Sequence, residues 1–180
     1  LVAQHYDYAA DIDNAARWHR RAAEWAGLKD VGAAVRHWLR VRELARQMGD
    51  GDDAMVLMTA ACLSAIRIGS FRVGEFKREW ELVYRDGCLA ATRTSDLRTL
   101  AQLHAHYGSA CGNLFGNIAD YVRYTREGVA IADQLGDPGL RCGTRVYLFY
   151  AAMYAGDLDE ASRMTDDIID IARGDADLGA

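Results

Sequence analysis

The chain has one proline, Pro138, in 180 residues. With so little proline, helices are almost nowhere forced to stop or kink. Runs rich in Val, Ile and Thr are scarce, which removes the usual raw material of strands, while Ala, Leu and Arg are plentiful and favour helix. No stretch approaches the roughly 20 apolar residues that a membrane-spanning helix requires. The longest apolar run, Val146–Ala155, has ten residues. Leu1–Ala10 holds Gln4, His5 and Asp7 where a secretory leader needs an apolar centre, so it does not read as one. The four cysteines, Cys62, Cys88, Cys111 and Cys142, are far apart and lack CxxC or Cys/His spacing. Reduced, mostly buried thiols are expected, with neither a disulfide framework nor a zinc site. The formal charge of −5 argues against nucleic acid as the main partner, because phosphate binding needs a basic face. These absences leave a soluble, cytoplasmic, all-helical chain as the expectation. A first residue of Leu1 points to a piece excised from a longer protein.

Reaction chemistry is also missing. There is no glycine-rich phosphate loop, nucleophile elbow or His-Glu-x-x-His run. His104 and His106 lie two apart on a predicted helix, so they point to different faces and do not chelate together. His5, His19 and His37 have no Glu or Cys at helical i+4 spacing and read as ordinary helix histidines. Asp50–Asp53 and the run Asp166, Asp167, Asp170, Asp175 and Asp177 lack the alternating ligands and distal glutamate of a calcium loop. The segment is expected to be non-enzymatic, with no cofactor and no metal.

What is present is helix punctuation at regular intervals. The hydrophobic content of 51% is ample for a core. The pattern predicts the end of a helix over Leu1–Ala9, a turn at Ala10–Asp11, and a helix through Trp25. Further helices are expected over Val31–Met48, Ala54–Ile68, Phe71 to about Ala91, Ser95–Phe115, Ile118–Leu135, Leu140–Ala155 and Asp157–Arg173. Asp157 is placed to cap a helix, with Glu160 where a capping box requires it. Gly49, Gly136 and Gly174 follow helices where a left-handed residue ends them cheaply, and Pro138 falls just beyond one such end.

Two stretches are near copies: Ala9–Ala16 (AADIDNAA) and Ala155–Ser162 (AGDLDEAS). Each reads as a helix end, a tight turn and a capped helix start. The turn glycines Gly27, Gly69, Gly116 and Gly156 stand 42, 47 and 40 residues apart. Helix ends recur too: LARQMGD at Leu44–Asp50, IADQLGD at Ile131–Asp137 and a shortened IARGD at Ile171–Asp175. The first two lie 87 residues apart and the last two 40, so two independent markers give one period. A period of this size is the mark of a stacked repeat protein.

These features resemble tetratricopeptide repeats, in which a turn Gly-Asp/Asn is followed by a small residue opening the second helix. Gly156, Asp157 and Ala161 match fully. Gly116 and Asn117 match at the turn, with Tyr121 in place of the alanine; Gly27 with Gly32, and Gly69 with Gly74, keep only small residues. The period of about 40 exceeds the usual 34. It is similar to longer repeats in the C-terminal part of bacterial adenylate cyclase/ATPase signalling proteins and maltose-activator-type regulators. The opening His5-Tyr6, Ala9, Asp11, Ala15-Ala16 and Ala22-Ala23 is similar to the start of such arrays.

The resemblance implies an all-α, right-handed α-solenoid of about four antiparallel helix pairs. It would form a single domain over 1–180, with pairs at about 12–48, 54–91, 96–135 and 140–173, and 1–10 as the end of a preceding helix. Family geometry, counted back from each turn glycine, places concave-face candidates at Arg17, Arg21 and Glu24; Thr59 and Arg67; His106 and Asn113; Tyr150 and Tyr154. Of the residue types that clamp a peptide carboxylate in some family members, only Arg17, Arg21 and Asn113 occur. They are scattered, so that clamp is not expected. Tyr147, Phe149, Tyr150 and Tyr154, with Tyr107, Phe115, Tyr121 and Tyr124 in the preceding pair, are expected to be mostly inter-helix core with a minority lining the groove.

Charge is polarised. Over Ala15–Met48 the bases are Arg17, Arg20, Arg21, Lys29, Arg36, Arg40, Arg42 and Arg46 against Glu24, Asp30 and Glu43; after Tyr150 acidic residues dominate. Solvated outer helix faces are the favoured reading, ahead of an acidic partner or head-to-tail contact between chains. The leading functional expectation is a non-catalytic protein–protein interaction or regulatory module of a bacterial signalling protein, binding a peptide or domain on its concave face. The alternatives are an intramolecular regulatory arm of an ATPase or cyclase, and a small-molecule sensor enclosed by the Tyr-rich region. Expected partners are a protein, a peptide or another domain of the same chain, with no nucleic acid and no membrane; a homo-oligomer is compatible.

Overall fold

A computed structural model describes residues 2–69 and 79–175. The described residues are all-α: α1 Val2–Tyr8, α2 Ile12–Ala26, α3 Val31–Gln47, α4 Asp52–Gly69, α5 Trp80–Arg93, α6 Leu97–Phe115, α7 Ile118–Leu135, α8 Pro138–Ala155 and α9 Leu158–Gly174. Among them, no helix is long and apolar enough to cross a membrane. Of the helix expected from Phe71 to about Ala91, residues 71–78, Gly74 among them, lie outside the described residues, and the remainder falls largely in α5.

The duplicated turns have matching local geometry. Ala10 and Gly156 both take positive φ, 55° and 77°. The next residue caps the following helix in each case: Asp11 accepts from the Asn14 N–H, and Asp157 from the Glu160 N–H. Four residues after each cap, Ala15 and Ala161 are buried. Gly116 and Asn117 repeat the arrangement, with Asn117 accepting from the Asp120 N–H and Tyr121 taking the buried position. Side-chain caps of this kind satisfy N–H groups that have no partner inside the helix.

Four details of the punctuation add to the expected pattern or depart from it. Gly69 does not take positive φ; it ends α4, where the Trp80 ring lies 2.5 Å from the place a Cβ would occupy. Gly174 is the last residue of α9 and is not left-handed. Pro138 opens α8 behind the Asp137 cap, because a proline at the first helical position gives up an N–H that had no acceptor there. Glu160 does not close a capping box: its carboxylate is held by Arg126, whose Nε is 3.2 Å away.

Two compact units divide the chain, Leu1–Asp96 and Leu97–Ala180. In the first, α1 through α5 pack each on the next. Its core joins Ala15, Ala16 and Ala23 of α2, Val35, Trp38 and Leu44 of α3, Met58, Cys62 and Ile66 of α4, and Trp80 and Val83 of α5. Arg42 sits in this core at 7% exposure, with its Nε 2.7 Å from Asp86 Oδ2. In the second unit α6 through α9 pack in order, and α6 also touches α8. Tyr121, Val129, Leu148, Ala151 and Met164 form one cluster, and Ala101, Ala132 and Leu140 another. Small residues let α6 and α7 approach closely, so that a Cβ on Gly128 would fall 2.8 Å from the Ala101 carbonyl oxygen.

Candidate functional site

The sequence candidates fall into two groups, one on each unit. On the first, Arg17, Arg21, Glu24 and Arg67 are exposed. Arg17, Arg21 and Arg67 have no ion-pair partner among the described residues, and the Arg21 guanidinium lies 4.7 Å from the centre of the Trp18 ring. Glu24 pairs with Arg20 at 2.8 Å. Thr59 corrects the expectation. It is 3% exposed and its hydroxyl donates to the Met55 carbonyl at 2.8 Å, so it is core and presents nothing to a ligand.

On the second unit, Tyr150 and Tyr154 are 52% and 61% exposed, and Asn113 is exposed with its amide donating to Ser109 Oγ at 3.0 Å. His106 is buried, its Nδ1 2.9 Å from the Tyr147 hydroxyl. A cleft of about 200 Å³ here is lined by His106, Tyr147, Arg98 and Asp137 but by neither exposed tyrosine. Of the aromatic group expected to be mostly core, Tyr107 and Tyr121 are buried, whereas Phe115, Tyr124, Tyr147 and Phe149 are only half-buried.

The charge expectation divides as well. Several bases of the first unit are spent within the fold. Arg40 binds Asp7, while Arg42 and Arg46 both bind Asp86. Their charges are compensated within the fold, and Arg42 is buried as well, whereas Arg40 and Arg46 stay partly exposed. Arg17, Arg21 and Arg67, which have no ion-pair partner among the described residues, are all sequence candidates.

Two clefts flank the C-terminal half of α2. The first, about 420 Å³, is lined by Val2, Ala3 and Gln4 of α1, Trp18, Arg21, Ala22 and Trp25 of α2, and His37 of α3. Residues 18, 21, 22 and 25 share one stripe because helical neighbours recur at three and four positions. The second, about 470 Å³, is lined by Ala23, Glu24, Gly27, Leu28, Trp38, Arg67 and Ile68. Trp25 and Leu28 stand out at 80% and 72% exposure. The Trp38 indole N–H is buried and has no hydrogen-bond partner among the described residues.

Sequence reasoning missed a hydrogen-bonded chain behind the first cleft. Asp7 Oδ1 accepts from Arg40 Nε and Nη2 at 3.0 and 2.8 Å, and Asp7 Oδ2 lies 2.7 Å from His19 Nε2. His19 Nδ1 is 2.8 Å from His37 Nδ1. Burial works to raise the Asp7 pKa, but the bonds from His19 and Arg40 outweigh it and hold the carboxyl below its usual value. For His37, burial comes first and His19 and Arg36 add to it; together they lower its pKa. The three members come from three helices, so no local spacing announces them. His19 and His37 are 18 residues apart in sequence. Among the described residues no group of His, Cys, Asp and Glu is placed to hold a metal ion.

No protein-family model matches the chain, and no curated protein sequence matches it.

Proposed function

We propose that the chain is a non-catalytic, tetratricopeptide-like binding module that takes an acidic, apolar-anchored segment of a protein partner across α2 of its first unit. The observation that carries this reading is the pairing of exposed apolar side chains with uncompensated cations. Exposed Trp25 shares the first cleft with Arg21, and exposed Leu28 shares the second with Arg67, while Arg17 lies one helical turn before Arg21 on α2. Large exposed aromatics and arginines are the residue types that dominate protein interfaces. Clefts of this volume accept anchoring side chains, and the charge selects an acidic segment. The buried Trp38 N–H supports the same reading, since an unpaired donor costs about 1–3 kcal/mol until an acceptor reaches it.

The repeated cap geometry at Asp11, Asn117 and Asp157, and the contact of α6 with α8, are what a stacked helical repeat would give. A preformed surface of that kind lowers the entropy cost of binding. The segment belongs, on this reading, to a bacterial signalling protein.

A random-peptide display library selected on the whole chain tests the proposal. Selected peptides should carry a large apolar residue flanked by Asp or Glu, and R17E and R67E should each weaken them about tenfold, with strong salt dependence. Failure to select such peptides, or selected peptides indifferent to both charge reversals, refutes it.

A further inference from the structure

The chain Asp7–His19–His37 ends in the first cleft, and its hydrogen-bond logic fixes what it offers there. Asp7 is ionised between Arg40 and His19, so the His19 Nε2 facing it carries a hydrogen. In neutral His19 the other nitrogen, Nδ1, is then a lone pair. Only the His37 Nδ1–H can fill the 2.8 Å gap to it. His37 Nε2 is left as an acceptor, and it has no hydrogen-bond partner among the described residues. Adding one proton to the pair changes this end. Whether the charge rests on His19 or on His37, the His37 Nε2 then carries a hydrogen and becomes a donor. The Asp7 carboxylate at the far end stabilises that added charge through the chain. The hydrogen bond therefore couples the two rings, and a single proton reverses the polarity presented to the cleft.

Around that nitrogen the cleft supplies two indoles, Trp18 and Trp25, the Arg21 guanidinium and the aliphatic surface of Val2, Ala3 and Ala22. We propose that this cleft binds an aromatic carboxylate, its ring along the two indoles and its carboxylate between Arg21 and His37 Nε2, and that binding takes up one proton into the Asp7–His19–His37 chain. The proton comes from solvent and is shared along the existing hydrogen bonds; no covalent bond to the ligand forms. Arg36 on α3 opposes the extra charge and Asp7 on α1 favours it; Arg21 lines the same cleft, and Arg40 binds Asp7. A bound carboxylate supplies the second negative group that lets His37 Nε2 hold the proton. The ligand is either a free aromatic acid or a polypeptide ending in an aromatic residue, since both carry this group. The inference does not depend on the peptide reading above, because a small acid suffices to test it.

Calorimetric titration with indole-3-propionate, repeated in buffers of different ionisation enthalpy, reads the proton directly. The expected result near neutral pH is uptake of close to one proton. Affinity should weaken as pH rises, by about tenfold per unit wherever uptake is close to one proton. The neutral analogue indole-3-propionamide should bind more weakly, without uptake or pH dependence. His37→Gln keeps a hydrogen-bond donor at the cleft but should abolish both uptake and pH dependence. Arg21→Gln alters an exposed side chain with no role in the core; it should weaken the acid several-fold and leave its pH dependence intact. Asp7→Asn should move the pH dependence to lower pH without removing it, which a merely structural role for Asp7 would not do. R67E, in the other cleft, should change nothing, which separates this site from the peptide surface. A dipeptide ending in a free tryptophan carboxylate that binds more tightly than indole-3-propionate identifies a chain terminus as the ligand, and the reverse order a free acid. Absence of binding heat, equal binding of the amide, or the same proton uptake in His37→Gln would overturn the proposal.

Discussion

One substitution made at two helical glycines should have opposite effects. At Gly128 a new Cβ would lie 2.8 Å from the Ala101 carbonyl oxygen and 3.3 Å from the Ala105 nitrogen, both backbone atoms of α6. Neither can swing aside as a side chain would, so α6 and α7 must separate. Overpacking of this sort costs about 1–3 kcal/mol, and a rigid obstacle belongs in the upper part of that range. Replacing glycine by alanine inside a helix returns about 1 kcal/mol of propensity. Gly128→Ala should therefore be destabilised by about 1–2 kcal/mol net. At Gly143, inside α8, nothing lies within 4 Å of the added Cβ. Only the propensity gain remains, so Gly143→Ala should be more stable by about 0.5–1 kcal/mol.

Urea denaturation measures both variants, followed by near-ultraviolet tyrosine circular dichroism for the second unit. All four tryptophans, at 18, 25, 38 and 80, lie in the first unit, so tryptophan fluorescence follows that unit separately. Equal effects of the same sign at Gly128 and Gly143 would refute the packing argument.

Other consequences can be checked in the same way. Asp157→Ala removes the acceptor for the Glu160 N–H at the start of α9 and should cost about 1 kcal/mol in the same urea assay. Asp133 is raised by burial but lowered more by hydrogen bonds from Arg145 and Arg141, so its folded pKa lies below the ordinary 3.8. A carboxyl shifted in that direction gives its full stabilisation above the unfolded value and loses it as pH falls through the folded one. Thermal melts should therefore decline as pH drops below about 4, and Asp133→Asn should flatten that decline. Burial pushes the Cys62 thiol well above its usual pKa. Alkylation with mass-spectrometric mapping should find it unmodified in the native protein, with labelling only after denaturation.

Much of the local architecture could be read from the residues because its determinants are local. Gly136 and Gly156 end helices with positive φ, and Asp11, Asn117 and Asp157 start them with side-chain caps; each acts within three or four residues. Why a glycine stands at the end of α4 was not legible, for the opposite reason. The residue that requires a glycine there is Trp80, on the next described helix. Thr59 was placed on a surface by counting along a helix, yet its neighbours bury it and its hydroxyl turns back to Met55. The histidine chain is the clearest case of information absent from spacing. His19 looks unremarkable until α1 brings Asp7 to one nitrogen and α3 brings His37 to the other. Arg17, Arg21 and Arg67 could be named in advance, but that they escape internal pairing, while Arg40, Arg42 and Arg46 do not, follows only from tertiary contacts.

The central claim is that α2 of the first unit carries a binding surface for an acidic, apolar-anchored segment. Hydrogen exchange on the whole chain, with and without a saturating selected peptide, tests it most directly. The account predicts slowed exchange in the C-terminal halves of α2 and α4, around Trp25, Leu28 and Arg67, with α6 through α9 unchanged. Protection confined to residues 97–175, with α2 and α4 exchanging as in the free protein, would contradict it.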